Sequence, residues 1–129
     1  MTAQQWTSKP RSEDIARLRR AVAAYAVGHG LARQRVDDVK LAVSEIVSNA
    51  VVHAYRDGGD GTITVVASVD GRGAMIVRVA DDGLGLSPRA DSPGAGLGLI
   101  IARQVADRLE IERPQRGGTA VRLTFAAAA

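Results

Sequence analysis

A chain of 129 residues is long enough for one domain with a real core and too short for two. It has no cysteine, which excludes disulfides, cysteine metal sites and thiol catalysis, and its apolar runs are too short to cross a bilayer. The net charge of +3 comes from scattered residues and only 3% of the residues are aromatic, so direct nucleic-acid binding is disfavoured. We expect a cytoplasmic protein that contacts neither nucleic acid nor membrane.

The first half of the chain predicts two helices. Residues 1–11 are polar and predict a flexible arm or an edge strand. Ser12 is a candidate N-cap for a first helix that ends near Gly28, because acidic residues follow it before an apolar helical pattern. A second helix is predicted over residues 32–55, where apolar residues recur on one side.

The second half predicts strands around a third helix. Strands are predicted at 62–69, 74–80, 109–113 and 119–125, a hairpin turn at DGRG (70–73), and a helix over 97–109. This order of elements predicts an α+β fold, a two-layer sandwich with helices on one face of a mixed, mostly antiparallel sheet. We expect a single domain over residues 12–126 and a short tail at 127–129.

Three polar residues interrupt the apolar second helix at intervals of four. Glu45, Asn49 and His53 would stand in a row along one side of that helix. Each also has an ordinary structural interpretation: a surface ion pair for the glutamate, a buried amide that ties down a loop for the asparagine, and a satisfied core residue for the histidine. The helix therefore has an apolar face and a candidate functional face.

Glycine clusters in three segments, DDGLG (81–85), GAGLG (94–98) and GGT (117–119). Glycine lets a ligand approach the backbone, so such segments can expose amides to an anion, although each alone can be an ordinary turn. A P-loop is excluded because neither Lys9 nor Lys40 lies beside a glycine. The Rossmann fingerprint is excluded because the third glycine of the second segment comes one place early.

The polar row and the three glycine segments, in this order, resemble the sequence boxes of the Bergerat-fold (GHKL-type) ATPases. Within that superfamily, VSEIVSNAVVHAY (43–55) and the early helix are most similar to the anti-sigma factor serine/threonine kinases. The resemblance spans residues 12–125 and implies the Bergerat fold, with ATP and Mg²⁺ as ligands.

The resemblance implies a role for each matching polar residue. Glu45 would be the catalytic general base, and Asn49 would bind nucleotide and hold Mg²⁺ together with phosphate oxygens. His53 would lie near the ribose or adenine. Asp81 would accept a hydrogen bond from the adenine amino group, with Thr119 assisting through water.

The matching glycine segments would surround the nucleotide. Gly83 and Gly85 would leave room for the base, and residues 86–93 would form a short lid. The phosphates would meet amides at the start of the third helix, in the segment that holds Gly94, Gly96, Leu97 and Gly98. Asp82 is interpreted as an ordinary turn residue.

The implied function is a kinase that binds a sigma factor and phosphorylates a serine of an anti-sigma factor antagonist, as a homodimer that uses the first helix and the N-terminal arm. Two alternatives remain open at this point. One is a nucleotide-dependent interaction module without phosphotransfer. The other is a detached histidine-kinase catalytic domain, which would need a phosphoacceptor histidine on another chain, because His29 and His53 are the only histidines.

Overall fold

The computed structural model describes residues 3–56, 61–82, 95–114 and 118–127. The elements are β1 (Gln4–Ser8), α1 (Glu13–Gly28), α2 (Arg33–Arg56), β2 (Ile63–Val69), β3 (Met75–Asp81), α3 (Ala95–Val105), β4 (Arg108–Glu112) and β5 (Thr119–Phe125). The strands form one five-stranded sheet in the order β1-β2-β3-β5-β4. The predicted α+β class is confirmed, but every pairing among the described strands is antiparallel, where the sequence allowed a mixed sheet.

The N-terminal segment forms an edge strand that is tied to the first helix. Strand β1 pairs with β2 from Gln4 opposite Ala67 to Ser8 opposite Ile63. The buried hydroxyl of Ser8 donates a hydrogen bond of 2.8 Å to the carboxylate of Asp14. Ser12 stands at the N-cap position but has helical dihedral angles and makes no capping hydrogen bond. The predicted cap by Ser12 is therefore absent, and the hydrogen bond between Ser8 and Asp14 connects β1 to the first turn of α1.

The core lies between one face of the sheet and the three helices. The predicted apolar side of α2 is buried in full: Val36, Val39, Val43, Val47, Ala50 and Val51 are each at most 9% exposed. Alternate residues of β2 and β3 face the same core: Ile63, Val65, Ala67, Met75, Val77 and Val79. The period of four in the helix and of two in the strands thus assigned the core face correctly.

The predicted hairpin turn connects β2 to β3. The side chain of Asp70 accepts hydrogen bonds from the backbone N–H groups of Arg72 and Ala74. Gly73 has a φ of 82°, which a residue with a Cβ rarely adopts. The turn is therefore specified by its own aspartate and glycine.

The third helix differs from its prediction at both ends. It begins at Ala95, two residues earlier than expected, and ends at Val105. Leu109, the last residue of the predicted helix, lies in β4. The early end follows from Asp107, whose N–H donates to the carbonyl of Thr124 and starts strand pairing directly after the helix.

Candidate functional site

The end of β3 lies beside the start of β5. Asp81, the last residue of β3, pairs with Thr119, the first residue of β5, and on its other side with Ile63 of β2. Asp81 is half-buried, and Thr119 is 2% exposed. A carboxylate and a hydroxyl residue from distant segments therefore share one end of the sheet.

The residue before Thr119 makes this approach possible. Gly118 has a φ of 80°, and a Cβ on it would lie 2.2 Å from the backbone oxygen of Asp81. No side chain fits at that distance, so the chain can enter β5 this close to Asp81 only with glycine. The sequence predictions did not include Gly118 among the site residues, although its position in the GGT segment was a signal for it.

Asp82 has a structural role that separates it from its neighbour. Its Oδ1 accepts a hydrogen bond of 2.9 Å from the backbone N–H of Thr62, just before β2. A Cβ on Gly61 would lie 2.9 Å from the same oxygen, so this connection is tightly packed. Asp82 is a turn residue, as expected.

Helix α2 runs along the sheet toward the same end. Near its start, Arg35 donates a hydrogen bond of 3.2 Å to the carbonyl of Ala126, and its guanidinium lies 5.8 Å from the ring centroid of Phe125. Asn49 lies about 21 Å further along the helix axis at 1.5 Å per residue. Strand β5 spans about 20 Å from Phe125 back to Thr119. Because α2 packs on β3 and β5, these two lengths indicate that Asn49 lies toward the end of the sheet that holds Thr119.

The first turn of α3 packs directly against Asn49. Gly98 is buried, and a Cβ on it would lie 3.0 Å from both Nδ2 and Oδ1 of Asn49 and 3.3 Å from its Cγ. The missing side chain lets the start of α3 approach the amide at van der Waals distance. Two predicted site residues that are far apart in sequence are therefore in contact.

Glu45 lies one helical turn before Asn49 on the same side of α2. It is half-buried. Within the described part of the chain, no residue forms a hydrogen bond or an ion pair with its carboxylate. A half-buried carboxylate without such a partner can accept a proton from a ligand that reaches it.

The remaining predicted residues are placed only in part. His53 lies in α2, and Gly96 and Leu97 lie in the first turn of α3, and the structure describes only the helix in which each of them lies. Gly83, Gly85, Gly94 and the predicted lid at 86–93 lie outside the described residues. Their assigned roles stay predictions.

Two carboxyl groups with displaced pKa values do not belong to the predicted set. The hydrogen bond from Ser8 is the main cause that holds the pKa of Asp14 below its ordinary value, against the opposing effect of burial. The backbone N–H of Ala126 does the same for the pKa of Asp107, with a smaller contribution from Arg35. Both carboxylates hold junctions of the fold together.

The structure brings Asn49 against Gly98 and Asp81 beside Thr119. The model of the histidine kinase-like ATPase domain family matches residues 8–125. The chain belongs to this family. The match covers every described helix and all strands except the first residues of β1.

Curated relatives match over most of their length. The anti-sigma F factor of Heyndrickxia coagulans is 32% identical over 130 residues, which cover 92% of this chain and 87% of that protein. The anti-sigma F factor of Clostridium novyi is 30% identical over 128 residues, which cover 91% of this chain and 87% of the relative.

Solved structures share the fold. The RsbU and RsbW domains of a Mycobacterium tuberculosis protein match with a TM-score of 0.78 and 25% identity over 100% of this chain. This chain spans 33% of that longer structure. The histidine kinase domain of a blue-light activated kinase from Erythrobacter litoralis matches with a TM-score of 0.62 and 26% identity, over 88% of this chain and 59% of that one.

Two kinds of feature, a membrane-spanning helix and a cluster of metal ligands, were sought in the histidine kinase-like ATPase domain. In the described ranges, no helix is long and apolar enough to span a bilayer. Among the same residues, no group of three or more histidine and carboxylate side chains could hold a metal ion.

Proposed function

We propose that the protein is an ATP-dependent serine/threonine protein kinase that acts in the cytoplasm as an anti-sigma factor and phosphorylates a serine of an antagonist protein. The observation that carries the proposal is the contact of Asn49 with Gly98. The pairing of Asp81 with Thr119 adds a second pair of predicted site residues that the fold brings together. The relatives named anti-sigma F factor, 32% identical at 92% coverage in one case, support the regulatory part.

Asp81 would select adenine. Its carboxylate lies at the end of a buried strand beside Thr119 and accepts hydrogen bonds only, so it suits the exocyclic amino group of adenine. Guanine carries a carbonyl at the equivalent position, which the carboxylate would repel. We therefore expect ATP to bind in preference to GTP.

The start of α3 would meet the phosphates. Backbone N–H groups of its first turn have no partner within the helix, and the helix dipole favours negative charge there. Magnesium prefers oxygen ligands and takes few from protein, and the amide oxygen of Asn49 beside this turn is a ligand of that kind. When bound, the ion would neutralise charge on the phosphoryl group that is transferred.

Glu45 would act as the general base. As the serine hydroxyl oxygen of the antagonist forms its bond to the γ-phosphorus, the bond from that phosphorus to the β,γ-bridging oxygen breaks and ADP leaves. The hydroxyl proton passes to the carboxylate of Glu45. The half-buried position and the absence of a described ion pair support this role over a surface salt bridge.

The experiment compares Glu45→Gln, Asn49→Ala and a control on the same helix, the exposed Asp37→Asn. Each variant is incubated with Mg·ATP and candidate antagonist domains, and both phosphoserine formation and ATP-analogue binding are measured. We expect Glu45→Gln to bind nucleotide and lose transfer, Asn49→Ala to bind Mg·ATP weakly, and the control to behave as the wild type. Normal transfer by Glu45→Gln would show that the assigned base is wrong.

The regulatory part has a separate measurement. The wild-type protein should form a complex with a sigma factor in the presence of ATP, and an unphosphorylated antagonist should displace that factor. Nucleotide binding with no phosphorylation of any antagonist would favour the interaction module instead.

We also propose a homodimer that uses α1 and the edge strand β1. Val27 on α1 is 64% exposed, and Trp6 of β1, which meets Tyr25 of α1 edge to face at 6.3 Å, is only half-buried, so both elements present apolar side chains to solvent. Sedimentation should give a dimer mass for the wild type and a monomer for Val27→Asp. A wild-type monomer at all concentrations would exclude this arrangement.

A further inference from the structure

We propose that Arg35 is a positioning residue for phosphotransfer, because through Asp107 it holds helices α2 and α3 in the relative position that places Asn49 against Gly98. The proposal rests on the proposed kinase function, and it concerns a pair of residues far from the nucleotide. We name the contact between Arg35 and Asp107 the helix clamp.

The helix clamp joins the start of α2 to the end of α3. The guanidinium of Arg35 donates to the carboxylate of Asp107, which lies two residues after α3 ends. Arg35 also bonds to Asp38 at 3.2 Å and to the carbonyl of Ala126 at 3.2 Å. The backbone N–H of Ala126 in turn donates to Asp107 at 2.7 Å. One arginine therefore links α2, the α3–β4 junction and the end of β5.

The two helices are in contact at both ends. Early α2 meets the residue after α3 in the helix clamp, and late α2 meets early α3 where Asn49 faces Gly98. The helices are therefore antiparallel and pack against each other, and the helix clamp is a directional polar contact at one end of this packing. The helix is about 10 Å long from Gly98 to its end at Val105 at 1.5 Å per residue, so a rigid helix passes a displacement at one end to the other.

The position of α3 matters because its first turn and Asn49 would hold the same phosphates. Catalysis by positioning is sensitive to such errors, since a 1 Å displacement can reduce the rate by about a hundredfold. Apolar packing of the two helices has no strict direction along the helix axis. The helix clamp would add a directional contact that keeps the approach of Gly98 to Asn49 constant.

The helix clamp is too exposed to be explained by stability alone. The side chain of Asp107 is 49% exposed, and that of Arg35 is 20% exposed. An ion pair with one partner this exposed adds little to stability, so its removal should leave the fold intact at 25 °C. A large effect on nucleotide binding would then report on geometry.

The test uses Arg35→Met, which keeps the length of the side chain and its packing on Phe125, and Asp107→Asn, which can still accept from Ala126. The matched control is Arg33→Met, because Arg33 is exposed at the same end of α2. Three quantities are measured: the melting temperature, kcat and KM for Mg·ATP, and the NMR resonances of the side-chain amide of Asn49 without nucleotide.

At an assay temperature well below the melting temperature, we expect Arg35→Met and Asp107→Asn each to lower kcat/KM about tenfold. Both variants should also shift the Asn49 amide resonances. The double variant should be no worse than either single variant, because both act through one contact. Arg33→Met should change none of these quantities. If one of the two variants fails to fold, the other decides the outcome.

Unchanged Asn49 resonances and unchanged kcat/KM, with only a lower melting temperature, would overturn the positioning role. The resonances are recorded without nucleotide, so they also separate the two proposals. Shifted resonances in a protein that does not bind ATP would support the helix clamp and refute the kinase function. Phosphorylation of an antagonist by the wild type, together with unshifted Asn49 resonances in both variants, would support the kinase function and refute the helix clamp.

Discussion

The contact between Gly98 and Asn49 can be tested by adding a single methyl group. In Gly98→Ala the new Cβ would lie 3.0 Å from both polar atoms of the Asn49 side chain, which is closer than Cβ atoms normally approach. The amide must then move by a few tenths of an ångström. Overpacking of this kind costs about 1–3 kcal/mol, whereas replacing a helical glycine by alanine gains about 1 kcal/mol.

The net effect should be a loss of about 1 kcal/mol in the free energy of unfolding, or about 4 °C in melting temperature for a domain of this size. Nucleotide affinity should fall about tenfold, because the amide that would hold the metal is displaced. Urea unfolding and binding of a fluorescent ATP analogue measure the two effects.

A double-mutant cycle isolates the cause. In the Asn49→Ala background the atoms that the methyl group would meet are gone, so Gly98→Ala should stabilise the protein by about 1 kcal/mol through helix propensity. The coupling between the two sites should therefore be about 2 kcal/mol. Gly28 at the end of α1 has no atom within 4 Å of an added Cβ, so Gly28→Ala should show no coupling to Asn49. A coupling below about 0.5 kcal/mol for Gly98 would refute the contact.

Three further predictions concern the fold around the site. Gly118→Ala should lower the free energy of unfolding in urea by about 3 kcal/mol or more, because its Cβ would meet a backbone oxygen at 2.2 Å. Gly30 has the same sign of φ and no atom within 4 Å of an added Cβ, so Gly30→Ala should cost only about 1 kcal/mol. Equal losses in the two variants would exclude the clash. Ser44→Ala should stabilise the protein about 1 kcal/mol more than Ser48→Ala does, because the buried hydroxyl of Ser44 has no hydrogen-bond partner among the described residues. Equal melting temperatures of the two variants would contradict this prediction. The lowered pKa of Asp14 adds stability that is complete above the ordinary value of 3.8 and is lost as the pH falls through the lowered value. The unfolding free energy of the wild type should therefore decrease below about pH 4 more steeply than that of Asp14→Asn. Parallel pH profiles of the two proteins would contradict this prediction.

Local patterns in the sequence were sufficient for the secondary structure and for much of the site. The period of four in α2 separated a buried face from a face with Glu45 and Asn49, since both depend only on neighbours along one helix. The turn at 70–73 was likewise predictable, because its aspartate and glycine satisfy the turn by themselves. The class of fold and the family followed from the order of such segments.

Contacts between distant segments were not predictable from these patterns. The pairing of Asp81 with Thr119, the approach of Gly98 to Asn49 and the helix clamp all join residues that no local period relates. The same limit explains Leu109, whose apolar side chain suits a helix or a strand equally and whose place in β4 depends on the pairing that Asp107 starts. The sequence by itself therefore determined which residues face the core and which carry the candidate chemistry, because near neighbours decide those properties. Only the tertiary structure decided which of these residues meet, because packing of the helices on a completed sheet sets the distances between them.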